Sequence, residues 1–267
     1  MNRLLSLLYH DLYRTSPVES GFLGAAADRY KLPLPEFDLQ LERVAAVLDE
    51  APVLVTEHQL NAARPRVTIT VDDGGISYYT DMADRLEERG WRGHCFVATG
   101  WIGRGGFLHT RHLRELHRRG HLIGTHSVTH PGRFAACTPV QMLNEWRESR
   151  ATLEEILGTA VTVASVPGGY FSQQVAEAAD EAGIKHLFTS EPESLVRKVG
   201  SCHVYGRYTV RRGDGPDYAA RLVTGVPTAV CGAWLKWNAK KLPKAILGAE
   251  YAGLAALAAR FERNVRP

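Results

Sequence analysis

The chain alternates short apolar runs with longer segments of helical period. Leu4–Tyr9 and the β-branched run Val67–Val71 are predicted strands, and Tyr78–Arg89 is a predicted helix that Gly90 ends. Alternation of this kind favours βα units built around a mainly parallel sheet. About six such steps can be counted by periodicity. The sequence therefore predicts an α/β fold in a single domain, with a closed or nearly closed barrel rather than a flat doubly wound sheet.

The other predicted elements complete this pattern. The remaining helices are Phe37–Ala51, Thr110–Arg119, Thr138–Leu157 and Ser172–Ala182, and the remaining strands are His94–Ala98, His121–Gly124, Val161–Ser165 and His186–Thr189. Thr15–Leu34, rich in Gly, Pro and Ala, is predicted to be an ordered loop over one barrel mouth. One domain is expected over residues 1–267, with 213–267 a helical C-terminal extension packed on the barrel. The extension's run Ala245–Phe261 is apolar on nearly all sides, which leaves peripheral membrane contact or subunit contact open.

Composition excludes several classes of protein. Hydrophobic residues make up 45% and charged residues 23%, as in ordinary globular enzymes. The net charge of +3 is scattered, so no nucleic-acid partner is predicted. The four cysteines lack paired spacing, which argues against a disulfide framework or zinc knuckle and predicts reduced, mostly buried thiols. The N-terminus is too polar for a signal peptide and no window is apolar enough to span a membrane, so a cytoplasmic location is expected.

Two polar clusters follow predicted strands. Asp72, Asp73 and Gly74 end the strand Val67–Val71, and adjacent carboxylates at a strand end repel each other unless a positive charge lies nearby. Asp-Asp-Gly alone is also an ordinary turn sequence. His126 and His130 follow the strand His121–Gly124, and a helical turn there would point both rings to one side. Two histidines and one aspartate make a three-ligand set with open positions, the arrangement of a catalytic metal site.

These motifs resemble those of the polysaccharide deacetylases, the NodB-homology family of carbohydrate esterases. The residues that carry the resemblance are Asp72-Asp73-Gly74, the run Gly120–His130, and Ser165-Val166-Pro167-Gly168-Gly169. The resemblance implies a distorted (β/α) barrel of about seven strands that hydrolyses N-acetyl groups on sugars. It also implies that Asp73, His126 and His130 bind a divalent metal, expected to be Zn²⁺, with Co²⁺, Ni²⁺, Mn²⁺ and Fe²⁺ as alternatives.

The resemblance implies roles for two further residues. Asp72 would be the general base that takes a proton from the attacking water, which suits a carboxylate beside a metal. The backbone N–H of Gly168 would bind the developing oxyanion, and a glycine allows a close backbone approach. By itself, Pro167-Gly168-Gly169 is better explained as a plain turn.

Three departures from the family pattern stand out. Ser165 occupies the position of an arginine that braces the catalytic carboxylate. The late Asp-and-Trp motif is absent, and so is the C-terminal Leu-x-His that supplies a general acid. Leu7-Leu8-Tyr9-His10-Asp11 resembles that last motif moved to the front, as in the circularly permuted deacetylases of exopolysaccharides. His10 is therefore the expected general acid, with a backbone-bonded strand-end histidine as the alternative.

Arg207 is the candidate to replace the bracing arginine, although a surface ion pair explains it equally well. The predicted function is metal-dependent removal of acetyl from an amino sugar in a glycan or its precursor. Another N-acyl or linear amide substrate, and a non-catalytic glycan-binding relative, are the alternatives. Trp101, Tyr170 and Trp234 are candidates for stacking on sugars, although aromatic residues more often fill cores.

Overall fold

The structure is a computed structural model that describes residues 3–57 and 65–239. Its strands are β1 Leu4–Tyr9, β2 Leu12–Tyr13, β3 Leu32–Pro33, β4 Arg66–Val71, β5 His94–Val97, β6 Leu122–Thr125, β7 Val163–Ser165, β8 His186–Phe188, β9 Arg197–Val199, β10 Cys202–Tyr205 and β11 Tyr208–Thr209. Nine of them form one sheet in the order β11-β1-β4-β5-β6-β7-β8-β10-β9, while β2 and β3 pair separately. In the large sheet only β9 is antiparallel to its neighbour.

The sheet curls until its two ends nearly meet. β10 pairs with β8 near one end, whereas β11 pairs with β1 at the other. Only Gly206 and Arg207 separate β10 from β11, and three Cα steps span at most about 11 Å. The backbone of Leu4 also donates to Ser194 O at 2.9 Å. The predicted α/β class and distorted barrel are thus confirmed, with two more strands than the expected seven or so.

Helices cover the outside of this sheet. They are α1 Ala25–Asp28, α2 Leu34–Ala45, α3 Ala83–Glu87, α4 Thr110–Arg118, α5 Pro139–Leu157, α6 Gln173–Glu181, α7 Tyr218–Val223 and α8 Pro227–Ala239, with a π-helical turn Tyr78–Met82 leading into α3. Thr138 caps α5 by accepting from Gln141 N, and Gly158 ends it in the left-handed conformation. α7 and α8 belong to the predicted C-terminal extension. Ala245–Phe261 lies outside the described residues.

Alternation along β4 positions the site. Val67, Ile69 and Val71 belong to the large apolar cluster that packs under the helices. Thr68 and Thr70 are buried on the opposite face, which is the inside of the curled sheet. Asp72, two residues after Thr70, continues this alternation, so its side chain points into the barrel at the carboxyl end of β4. This alternation is the reason that Asp72 meets groups from other strands.

Several boundaries differ from the prediction. α2 begins at Leu34 and ends at Ala45, well before the expected Ala51, because the chain must turn back toward β4. The predicted loop Thr15–Leu34 contains α1 and β3 but no long element, as expected. Cys95 and Cys202 are buried, Cys137 is partly buried and Cys231 is exposed, and all four thiols are free. Within the two described ranges, no helix is both long enough and apolar enough to cross a bilayer.

Candidate active site

Asp72 and Asp73 lie at the carboxyl end of β4, where the sequence predicted them. Asp72 N donates to Tyr9 O at 3.1 Å, which extends the β1–β4 pairing by one residue. Asp73 has a positive φ of 77°. A non-glycine residue in this region costs about 1 kcal/mol or more, so packing around it must hold it there. The change of backbone direction at Asp73 separates the two carboxylates, so that they contact different residues.

The segment that carries His126 and His130 is a loop, so the helical turn considered for it is wrong. Ser127 and His130 have positive φ values of 68° and 54°, which no helix contains. Glu145 on α5 stabilises the loop by accepting hydrogen bonds from the backbone N–H groups of Val128 and Thr129 at 2.7 and 2.9 Å. The carboxylate thus takes over the bonds that a helical turn would have made.

The loop nevertheless brings both imidazoles to Asp73. Asp73 Oδ1 lies 3.5 Å from His126 Nε2 and 3.3 Å from His130 Nε2. One ligand atom from each of the three residues lies within 4.8 Å of the others. His126 Nδ1 lies 2.9 Å from the carbonyl oxygen of Ser165. Because a carbonyl can only accept, Nδ1 carries the proton and Nε2 keeps a lone pair that is available to a metal ion.

These residues fit a divalent metal. Two imidazole nitrogens and one carboxylate oxygen are donors that suit zinc and its neighbours in the first transition row. The hydrogen bond from His126 Nδ1 to Ser165 O orients one of these ligand atoms. The positive φ values of Asp73 and His130 direct the other two toward the same point. The three residues predicted as ligands therefore converge, while the identity of the metal stays a prediction.

Asp72 is held by Arg207 and Ser165. Arg207 is fully buried and donates from Nη1 to Asp72 Oδ1 at 2.7 Å and from Nη2 to Asp72 Oδ2 at 2.8 Å. Arg207 Nε donates to Thr189 O at 2.8 Å. Burial raises the pKa of Asp72, but the charge and the hydrogen bonds of Arg207 outweigh it and lower the pKa overall. The alternative of a surface ion pair for Arg207 is wrong, since the guanidinium lies inside the barrel.

Ser165 has a structural position that the sequence did not indicate. Its hydroxyl donates to Asp72 Oδ1 at 2.9 Å and lies 2.6 Å from His126 Nδ1. With Nδ1 protonated, a hydrogen-bond chain runs from His126 through Ser165 to Asp72. Sequence reasoning treated this residue only as a missing arginine. The one sign of a role for Ser165 in the sequence was its position at the end of β7, next to a predicted turn. A small hydroxyl residue there leaves room for Arg207.

His10 lies beside this group. It follows Tyr9, which pairs with Val71, so His10 and Asp72 are neighbours across adjacent strands. Its ring is 4.7 Å from that of Tyr30, and its buried Nδ1 has no hydrogen-bond partner within the described chain. Burial lowers the pKa of His10, and the charges of Asp73 and Asp72 oppose the shift. The alternative of a strand-end histidine bonded to backbone is therefore not supported.

The two aspartates and the three histidines open into one cavity. It has a volume of about 340 Å³ and is lined by His10, Asp72, Asp73, His126 and His130, together with Leu8, Phe22, Ala26, Ala27, Tyr30, Gly132, Gly168, Gly169, Ser190, Thr209, Arg211 and Trp237. Phe22 and Tyr30 come from the predicted loop over the barrel mouth. Asp11 anchors this loop by accepting hydrogen bonds from Ser20 and Ser77. Burial, its largest influence, raises the pKa of Asp11 to about 6.

The aromatic residues near the cavity differ from those expected. Trp101 packs edge-on against Phe22, and Trp234 is 55% exposed and is not among the lining residues. Tyr170 packs on Trp237 with ring centroids 4.9 Å apart. Trp237, which the sequence did not single out, lines the cavity. The sequence shows that Trp234 and Trp237 lie three residues apart, but only the packing of α8 determines which of the two faces the cavity.

Gly168 gives a test of close backbone packing. A Cβ at this residue would lie 2.9 Å from Gly132 O, and its φ is 72°. We expect Gly168→Ala to lower the free energy of unfolding by roughly 1–3 kcal/mol, because left-handed strain adds to a clash with fixed backbone. Gly158→Ala is the matched control, since Gly158 has a φ of 69° with no atom within 4 Å. Urea unfolding of both variants measures the contribution of the clash as the difference between their losses of unfolding free energy. Equal losses would contradict the prediction.

A (β/α) barrel with an aspartate and two histidines around one point, at the carboxyl ends of its strands, has the features of a metallohydrolase scaffold. Comparisons with known proteins narrow this class. Residues 59–187 match the family model for polysaccharide deacetylase. This match confirms the family that the motifs indicated, over those residues. His10 lies outside the matched range, so the permuted order of motifs stays a prediction.

Individual relatives agree with this assignment. YxkH of Bacillus subtilis, assigned to the polysaccharide deacetylases, is 26% identical over 171 residues, which are 64% of this chain and 60% of that protein. The chain thus spans less than two thirds of that relative. Among solved structures, the Streptococcus pyogenes deacetylase PplD has a TM-score of 0.66 at 19% identity, covering 80% of this chain and 95% of its own. IcaB from Ammonifex degensii has a TM-score of 0.67 at 22% identity, covering 82% and 97%. These two structures support the fold.

Proposed function

We propose that the protein is a metal-dependent N-deacetylase that hydrolyses the N-acetyl group of an amino sugar. The observation that carries the proposal is the convergence of Asp73, His126 and His130 within 4.8 Å, in a cavity that also contains His10 and Asp72. The family match supports hydrolysis of this type. PplD was solved in complex with acetate, which is the acid that deacetylation releases.

Asp73, His126 and His130 would hold the metal, which supplies Lewis-acid activation of water and of the acyl oxygen. Asp72 accepts a proton from the attacking water as the oxygen bonds to the acyl carbon. The low pKa of Asp72 keeps it ionised at neutral pH, and Arg207 fixes its orientation. The N–H of Gly168, whose backbone lines the cavity, donates to the oxyanion that develops.

Breaking the carbon–nitrogen bond requires a proton on the departing nitrogen. His10 is placed to supply it, because it lines the same cavity on the strand next to Asp72. Its lowered pKa leaves the ring neutral at pH 7. We therefore propose that His10 gains a proton during turnover, with the protonated Asp72 as the nearby source. The products are acetate and the free amine, and both side chains return to their starting state.

The proposal extends to the metal, the substrate and the cellular setting. Zinc is the metal we propose, and an amino-sugar glycan or its precursor is the substrate. A role in exopolysaccharide synthesis, a cytoplasmic location and peripheral membrane contact through the C-terminal extension are also proposed. α8 exposes Trp234 and Leu235, which suits such contact.

Metal titration with an activity assay tests the proposal. We expect the apo protein to bind one Zn²⁺ and, once loaded, to release acetate from N-acetylglucosamine oligomers. His126→Ala should weaken Zn²⁺ binding by on the order of a hundredfold or more, because a ligand is lost. His109→Ala, at an exposed histidine outside the site, is the control and should bind normally. Glycan binding without acetate release would indicate a non-catalytic relative, and release from a linear amide alone would indicate the other amidase class.

A further inference from the structure

Arg211 is a cation in the active-site cavity that the proposed chemistry does not use. It lines the cavity that contains His10 and Asp73, and it also lines a smaller cleft beside α8. Its buried Nε has no hydrogen-bond partner, and no acidic group in the described parts of the chain pairs with its guanidinium. Buried hydrogen-bond donors are rarely left unpaired, since desolvation without a partner costs stability. The guanidinium of Arg211 can therefore donate hydrogen bonds to a bound ligand.

Tyr30 fixes where this cation lies relative to the reaction. The guanidinium of Arg211 is 5.4 Å from the centre of the Tyr30 ring, and that ring is 4.7 Å from the His10 ring. Tyr30 thus links Arg211 to His10, which we assign to the departing nitrogen. Stacking on a ring occupies one face of a guanidinium and leaves the N–H groups at its edge able to donate. Arg211 is consequently on the sugar side of the bond that breaks.

The nearby charges are already balanced by other partners. Asp214, the acidic residue nearest in sequence, accepts from Arg211 N at 2.9 Å and pairs with Lys236 Nζ at 2.9 Å. Asp72 is paired with Arg207. Asp73 also lines the cavity, and we assign it to the metal. None of these three carboxylates therefore pairs with the guanidinium of Arg211, which adds a positive charge to the lining of the cavity.

We propose that Arg211 binds an anionic group on the amino sugar, a phosphate or a carboxylate, and so selects charged substrates over neutral glycans. The proposal rests on the proposed deacetylase function and names its substrate class. Arginine binds both anions through paired N–H donors, and such charge-assisted bonds are stronger than neutral ones. A neutral chitin-like oligomer would leave Arg211 without a partner, which disfavours its binding.

The test compares three sugars in two assays. Calorimetry measures binding of N-acetylglucosamine 1-phosphate, N-acetylmuramic acid and the neutral methyl glycoside of N-acetylglucosamine, and acetate release measures kcat and KM for each. We expect one anionic sugar to bind about tenfold or more tightly than the neutral one, and which of the two does so identifies the anion. Arg211→Gln should abolish that preference by raising KM for the anionic sugar about tenfold or more, with kcat and the neutral sugar little changed.

Arg212→Gln is the matched control. It removes the same charge from the next residue, which is exposed and does not line the cavity, and both variants retain the metal ligands. Equal affinity of the wild type for charged and neutral sugars, or the same loss in both variants, would overturn the proposal. A loss in Arg211→Gln that is equal for charged and neutral sugars would overturn it too. If no sugar releases acetate, the deacetylase function fails, while calorimetry still decides whether Arg211 binds the anion.

Discussion

Asp72→Asn is expected to lower kcat by roughly a hundredfold to ten-thousandfold, because an amide cannot accept the proton of the attacking water. Zn²⁺ affinity should change little, since Asp73, His126 and His130 remain. The same substitution leaves Arg207 buried without its anionic partner, so stability should also fall. Acetate release and metal titration are therefore measured at a temperature at which circular dichroism shows that the variant is folded.

Asp73→Asn is the matched variant for this prediction. It is one residue further along and carries the same chemical change, but its carboxylate faces His126 and His130 at 3.5 and 3.3 Å. We expect it to lose metal binding and, for that reason, activity. If Asp72→Asn loses the metal and Asp73→Asn retains it, the division between general base and ligand is reversed.

Local patterns account for much of what the sequence predicted. β4 and its two aspartates follow from a β-branched run before a turn, and α5 follows from Thr138 and Pro139 at its start and Gly158 at its end. These signals are contained within a few residues. The barrel followed because repeated βα units have few ways to pack. Asp73, His126 and His130 could be grouped because carboxyl ends of parallel strands share one edge.

The features that the sequence missed depend on contacts between distant segments. The loop at His126–His130 is not helical because Glu145, on another element, bonds its backbone. Ser165 meets Asp72 across 93 residues of chain. β11 has only two residues, and it is defined by pairing with β1 rather than by any local periodicity. Trp237 and Arg211 line the cavity because of where α8 and the loop after β11 pack, which spacing alone does not fix.

Arg207→Met is expected to lower the free energy of unfolding by about 3–5 kcal/mol, because it leaves the buried carboxylate of Asp72 without its partner. Arg207 also lies near the rings of Phe96 and Phe188, at 5.7 and 5.9 Å from their centres, so the methionine remains in an apolar setting. Urea unfolding of the metal-free protein measures the change. Arg197→Met is the control: its pair with Glu193 is partly exposed, and a loss of at most about 1 kcal/mol is expected.

The pH dependence of that loss identifies its cause. Arg207 lowers the pKa of Asp72, so the stabilisation that it gives is present above the unfolded-state pKa and is lost as the pH falls through the folded-state pKa. In Arg207→Met, burial instead favours the protonated acid, and the deficit should shrink as the solution becomes acidic. The double variant Arg207→Met with Asp72→Asn should recover part of the stability, because neither charge of the buried pair remains. A deficit that is constant with pH and unrelieved in the double variant would mean that Arg207 stabilises the barrel by packing rather than by holding Asp72.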